Sequence, residues 1–181
     1  MKVTLKHFII FLPTVLICCK KDSREGFYKS KNNSNFVIWK DVETVSQKDF
    51  GIQKSWGHSR PFIKIMTGID TNKNELLYFV YLDRDKSRLN ISKPKDSIDN
   101  VLLYTNLKMD CYEITARKYV QKFERNENMK IGSRNDSKYI TNEIVAQTEL
   151  ELEKLTERIW YSKFNNDTIS KIKHELKQRL R

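Results

Sequence analysis

Residues Asn100–Lys118 read N-V-L-L-Y-T-N-L-K-M-D-C-Y-E-I-T-A-R-K, and their apolar spacing decides the fold. Ile98, Leu102, Thr105, Met109, Tyr112, Ala116, Tyr119 and Phe123 recur at steps of three and four. That repeat lays side chains along one face of an α-helix. No Gly or Pro interrupts the chain between Pro94 and Gly132, so one long helix is expected. Asp96 or Ser97 is placed to cap it by accepting a free backbone N–H.

Downstream, Asn126–Lys138 reads as a loop around Gly132 and Ser133. A second helix is expected from Tyr139 to about Phe164, with Ile144 or Val145, Leu152, Leu155 and Ile159 inward. Asn165-Asn166-Asp167-Thr168 breaks it, and Ile169, Ile172, Leu176 and Leu180 mark a third. Upstream, the pattern turns to strands. Phe36-Val37-Ile38-Trp39 is short and apolar, whereas Lys40–Ser59 has no period and reads as a loop. Ile63, Ile65, Thr67 and Ile69 alternate with Phe62, Lys64 and Met66, as in a half-buried strand. Asp70–Asn74 supplies turn residues, and Glu75–Leu82 is almost wholly apolar, as a strand covered on both faces is. Asp83–Lys86 is another turn, and Arg88–Ser92 a weaker strand. The expected fold is α+β: a small antiparallel sheet of three to four strands, since the connections are short, followed by three helices.

The chain has 181 residues and a formal charge of +11, with the basic residues spread throughout. A charge of that sign suits nucleic acid, an anionic surface or solubility, and the N-terminus chooses among them. Lys2 and Lys6 precede an apolar run, Phe8–Ile17, that is about half of what a bilayer span needs. Leu16-Ile17-Cys18-Cys19 resembles the lipobox of bacterial lipoproteins. The resemblance implies a signal peptide over 1–18, lipid attachment at Cys19, and a membrane as partner. Lys20-Lys21-Asp22-Ser23, with no aspartate directly after the cysteine, points by the same analogy to the outer membrane of a Gram-negative envelope. Several acyl chains anchor stably, each contributing about 0.8 kcal/mol per buried CH₂. Polar residues 19–35 read as a flexible tether and 36–181 as a single domain. Cleavage removes two lysines and no acid, leaving 32 basic residues against 23 acidic, a charge of +9. Cys111 then remains as the one free thiol, so no intramolecular disulfide is expected. No nucleic-acid-binding signature accompanies the charge, and nucleic acid is not expected as a partner.

The central helix also resembles the motif helix of a family of secreted, zincin-like metallopeptidases classed as a domain of unknown function. That family's pattern is near H-E-Q-x-H-F-D-I-x-E-x-x-A-R-K. Leu102, Leu103, Leu107, Asp110, Glu113, Ala116, Arg117 and Lys118 fit this motif and the leucines that precede it, and Met109 stands for the Phe. Ile38-Trp39-Lys40-Asp41 resembles its W-x-D element, and Tyr161–Ile169 resembles its Y-D-K-E-T-N-H-S-I segment. The resemblance implies a zincin-like frame. In H-E-x-x-H two histidines on one helical face bind zinc and the glutamate activates water. Here those positions hold Tyr104, Thr105 and Lys108, and Asp167 stands at the downstream histidine. A lysine puts a cation where the metal's charge would sit, and threonine cannot serve as the carboxylate base. His58 and His174 are too scattered to replace the pair.

The expected protein is therefore a non-enzymatic envelope lipoprotein, with no metal and no cofactor, that binds another protein or an envelope component. One alternative is an immunity or inhibitor lipoprotein directed at a secreted toxin. Another is a hydrolase whose site is rebuilt from Lys108, Tyr104 and Asp167. Against the last stands a plainer expectation, with Lys108 solvated and Asp167 capping the third helix.

Overall fold

The computed structural model describes residues 26–27, 34–39, 44–54, 57–70, 72–73, 75–124 and 134–181. The leader and Cys19 lie outside them. Strands β1 (Phe36–Ile38), β3 (Ile63–Asp70) and β4 (Glu75–Asp83) form an antiparallel sheet in the order β1-β4-β3. Three helices follow it: α1 (Lys95–Glu124), α2 (Arg134–Tyr161) and α3 (Asn166–Leu180). The chain has an α+β fold.

The central position of β4 explains its unbroken apolar sequence. Leu76, Val80 and Leu82, with Ile63 and Ile65 of β3 and Val37 of β1, pack in one core with Met109, Tyr112, Ala116 and Val120 of α1. On the opposite face Phe79 and Tyr81 cluster with Ile38. Phe36 stacks on Tyr81 at 4.1 Å, and Phe27, within the stretch read as a tether, lies 5.8 Å from the Phe79 ring. A strand flanked this way has no solvent face to carry polar residues. The β3–β4 reversal is held as its composition suggests, by Asp70 Oδ1 accepting the N–H groups of Asn72 and Lys73 at 3.1 and 3.3 Å.

Five expectations need correction. The stretch Lys40–Ser59 is not all loop, because it contains a 3-10 turn at Gln47–Asp49 and a short strand, β2 (Gly51–Gln53). β2 pairs in parallel with β5 (Arg88–Asn90), so these two form a separate ribbon outside the antiparallel sheet. The β3–β4 hairpin lies between them in sequence and supplies the long crossover that parallel pairing requires. Neither Asp96 nor Ser97 caps α1; both lie in its first turn, where the Pro94 carbonyl accepts the N–H groups of Ser97 and Ile98. Proline suits the entry because it lacks the N–H that would go unpaired there.

The last two corrections concern the helices. α2 begins at Arg134 and stops at Tyr161, three residues short of Phe164. Lys163 (φ 53°) and Phe164 (φ 58°) turn into the left-handed region, which ends a helix at a cost of roughly 1–2 kcal/mol per non-glycine residue. Finally, α1 is buried along two stripes. One faces the sheet, and a second, Leu107, Cys111 and Ile114, packs with Leu152, Leu155 and Ile159 of α2 and Ile172 and Leu176 of α3. With each fully buried aliphatic side chain worth about 1.5–3 kcal/mol, this second core makes α1 the axis of the molecule. Among the described residues no helix is long and apolar enough to cross a membrane.

Candidate functional site

The three motif positions sit in the first half of α1, and each is committed to packing or to a neighbouring charge. Thr105 is wholly buried, and its hydroxyl donates to the Val101 carbonyl one turn back at 2.7 Å. That back-bond satisfies the hydroxyl within its own helix. Tyr104 is half-buried against the three-helix core. Lys108 reaches across to α2, where its ammonium donates to Glu149 Oε1 at 2.7 Å and lies 5.9 Å from the ring centres of both Tyr104 and Tyr112. Burial opposes its charge, but the Glu149 hydrogen bond and the nearby oxygens hold its pKa above the ordinary lysine value. Lys108 thus neither stands free in solvent nor pairs with Asp167.

Asp167 is not the cap of α3. Asn165 is, with its side-chain oxygen accepting the N–H groups of Asp167 at 2.8 Å and Thr168 at 3.3 Å. The Asp167 side chain is exposed in the first turn, where an acid suits the helix dipole. Asn165 accepts in its place because it precedes the first helical residue, as an N-cap must. The structure brings Tyr104 and Lys108 together, and Asp167 forms no hydrogen bond or ion pair with either.

The next two turns of α1 carry a denser polar set. Trp39, following β1, donates its indole N–H to Asp110 Oδ1 at 2.7 Å. Glu113, almost fully buried, accepts from Tyr78 of β4 at 3.0 Å and from Arg117 Nε at 2.8 Å. Arg117 lies 5.5 Å from the Trp39 ring centre and also donates to the Leu180 carbonyl at the end of α3. Through these contacts one face of α1 holds β1, β4 and the C-terminus together. Burial pushes the Asp110 carboxyl above the ordinary aspartate range, against the pull of the Trp39 hydrogen bond and of Lys177 and Lys173.

A cavity of about 790 Å³ opens beside this set, between α1, α3 and the segment after β1. Leu102, Leu103 and Leu107 of α1 and Leu180 of α3 give it apolar walls, while Asp110, Lys173 and Lys177 line it with charge. Asn106 also lines it, but its amide is spent. It accepts the Val45 N–H at 2.8 Å and donates to the carbonyls of Val45 and Leu102. The sequence pointed to no such cavity. Its one legible signal was the pair Lys173 and Lys177, one turn apart on an amphipathic helix.

Cys111 is fully buried, and burial drives its thiol up to about 12, so it behaves as a small hydrophobe and not as a nucleophile. His174 contacts Gln178 on the same helix at 2.8 Å, and His58 is exposed far from it in sequence. Among the described residues no three His, Cys, Asp or Glu side chains gather as a metal-ligand set. No family model, no curated protein and no solved structure matches the chain.

Proposed function

We propose that the chain is a lipid-anchored envelope protein whose folded domain binds a partner protein or envelope component without catalysing a reaction. The observation that carries this reading is the condition of the motif positions. Thr105 has no exposed surface and its hydroxyl is bonded inside the helix, while the Lys108 ammonium is held by Glu149. Neither group is available to ligate a metal or to take a proton from water, the two tasks of an H-E-x-x-H helix. A hydrolase rebuilt from Lys108, Tyr104 and Asp167 finds less support, since Asp167 is drawn to neither of the others. The membrane address rests on the lipobox-like sequence ending at Cys19.

Two measurements on the full chain test the proposal. Metal analysis of the purified protein is expected to find no stoichiometric zinc, and one zinc per chain would overturn the non-enzymatic reading. Fractionation of cells carrying Cys19→Ala is expected to move the protein from the membrane to the soluble fraction. Unchanged membrane association would overturn the anchor.

A further inference from the structure

We infer that the cavity between α1 and α3 binds a small amphiphile with an aliphatic body and a single anionic head. This names the ligand class of the binding domain proposed above, and rests on that reading only in taking the domain to bind and not to cleave. At about 790 Å³ the cavity falls within the roughly 300–1,000 Å³ usual for small-molecule pockets, which pair apolar walls with a few placed polar groups.

The bonding commitments around the cavity decide which end of a ligand goes where. The Asn106 amide is used by the Val45 and Leu102 backbone, and the Trp39 indole N–H is used by Asp110. The lysines differ from four other cations on the three helices. Lys108, Arg117, Arg158 and Arg179 each pair with a glutamate. Neither Lys173 nor Lys177 has an ion-pair partner among the described residues, although they stand one turn apart and repel each other. Asp110 is near enough to feel both charges, which leaves this end of the cavity with an excess of one positive charge. The other acid in the lining, Asp99, is eleven residues back along α1, about 16 Å by helical rise. An anionic head beside Lys173 and Lys177 relieves the lysine repulsion. The aliphatic body then covers Leu102, Leu103 and Leu107, two of which are half-exposed in the free protein. A cationic head meets two lysines there, and an uncharged one leaves them as they were.

Carboxylate and phosphate heads share this chemistry, so the test carries both. The full chain with Cys19→Ala, free of its acyl anchor, is loaded with the fluorescent probe 11-(dansylamino)undecanoate. It is then titrated, below micelle formation, with dodecanoate, dodecyl phosphate or dodecyltrimethylammonium. Both anions are expected to displace the probe, the cation at least tenfold more weakly, and the tighter anion distinguishes a fatty acid from a phospholipid source. In the Lys173→Glu/Lys177→Glu double variant, which changes only exposed side chains, the anions are expected to lose at least tenfold and the cation to gain. Equal displacement by all three heads, or displacement unaltered by the double variant, overturns the inference. Because this series reads the cavity alone, its failure is distinguishable from the zinc and fractionation outcomes that test the earlier proposal.

Discussion

Two sets of polar residues follow one another along α1 and are used in opposite ways. Tyr104, Thr105 and Lys108 occupy the places where the resembled family keeps its metal site. Here the threonine hydroxyl turns back into its own helix, and the lysine makes one ion pair, to a glutamate whose side chain is 48% exposed. Asp110, Glu113 and Arg117 come within the next three turns and reach outward to Trp39, Tyr78 and the Leu180 carbonyl. The first set makes few commitments beyond α1. The second joins four parts of the chain that are distant in sequence. Asp110, Glu113 and Arg117 therefore have a structural use of their own in this chain. A buried carboxylate with two donors is costly to disturb, whereas a hydroxyl bonded back into its own helix can give way to ordinary packing.

The comparison breaks most sharply at Thr105. Placing the glutamate of the resembled motif there, Thr105→Glu, puts a carboxylate where the native side chain has no solvent exposure. The expected loss is about 4 kcal/mol or more, a large share of the roughly 5–15 kcal/mol that holds a domain together. Thr105→Val, which loses only the back-bond, is expected to stay within about 1 kcal/mol of the parent. Urea denaturation of the two variants checks this. A Glu variant as stable as the Val variant would mean that the position opens to solvent and that the motif face is still a usable cleft.

The next largest effect belongs to the second set. Glu113→Ala removes an acceptor of the Tyr78 hydroxyl and deprives Arg117 of its carboxylate, for an expected loss of about 2–3 kcal/mol. Glu113→Gln keeps an acceptor for Tyr78 and is expected to lose less. If the alanine variant unfolds within about 0.5 kcal/mol of the parent, the network is decoration and the contrast between the two sets disappears.

Asp110 sharpens the same contrast through pH. Its folded pKa is raised, chiefly by burial, so the native state holds the proton more tightly than the unfolded chain does. The stability this lends is complete below the unfolded aspartate pKa of about 3.9 and is lost as pH rises through the folded value. Asp110→Asn keeps an oxygen for the Trp39 indole and removes the titration. The stability of the parent relative to this variant is expected to fall as pH climbs from the acid side of that window. A flat or rising difference in pH-dependent denaturation would show that the Trp39 bond and the two lysines outweigh the burial.

How much of this was legible follows from the length of each signal. α1, with 30 residues and no internal Gly or Pro, and β4, with nine residues and an apolar run, declared themselves because period and composition accumulate over such lengths. β2 and β5, at three residues each, are too short to show a period, and their parallel pairing depends on a partner 35 or more residues away. The ends of α2 were misplaced because its stop is two left-handed residues, Lys163 and Phe164, neither of them a glycine that would have announced the turn. At the site, the sequence identified Tyr104, Thr105 and Lys108 as the positions to watch, because a helical motif fixes relative spacing. It could not give Lys108 its true partner, since Glu149 lies on another helix. Nor could it anticipate the cavity, which is formed jointly by α1, α3 and the residues after β1.

The smallest expected effect is at that cross-helix pair. Lys108 and Glu149 have side-chain exposures of 17% and 48%, so one charge is sheltered and the other is open to water and salt. Water screens such a pair, and ordering two long side chains offsets part of the attraction. A double-mutant cycle with Lys108→Met and Glu149→Gln is expected to give a coupling of no more than about 1 kcal/mol, weakening as salt is raised. The methionine retains most of the apolar stem that lies against Tyr104 and Tyr112, so the cycle reads the charge and not the packing. A coupling of about 3 kcal/mol, insensitive to salt, would put Lys108 in the same class as Glu113 and Arg117. The motif face would then be a second braced network, and the difference between the two halves of α1 would be one of partner alone. A small, salt-sensitive coupling leaves Lys108 as a surface tether between α1 and α2, at a position the fold can fill with many residue types.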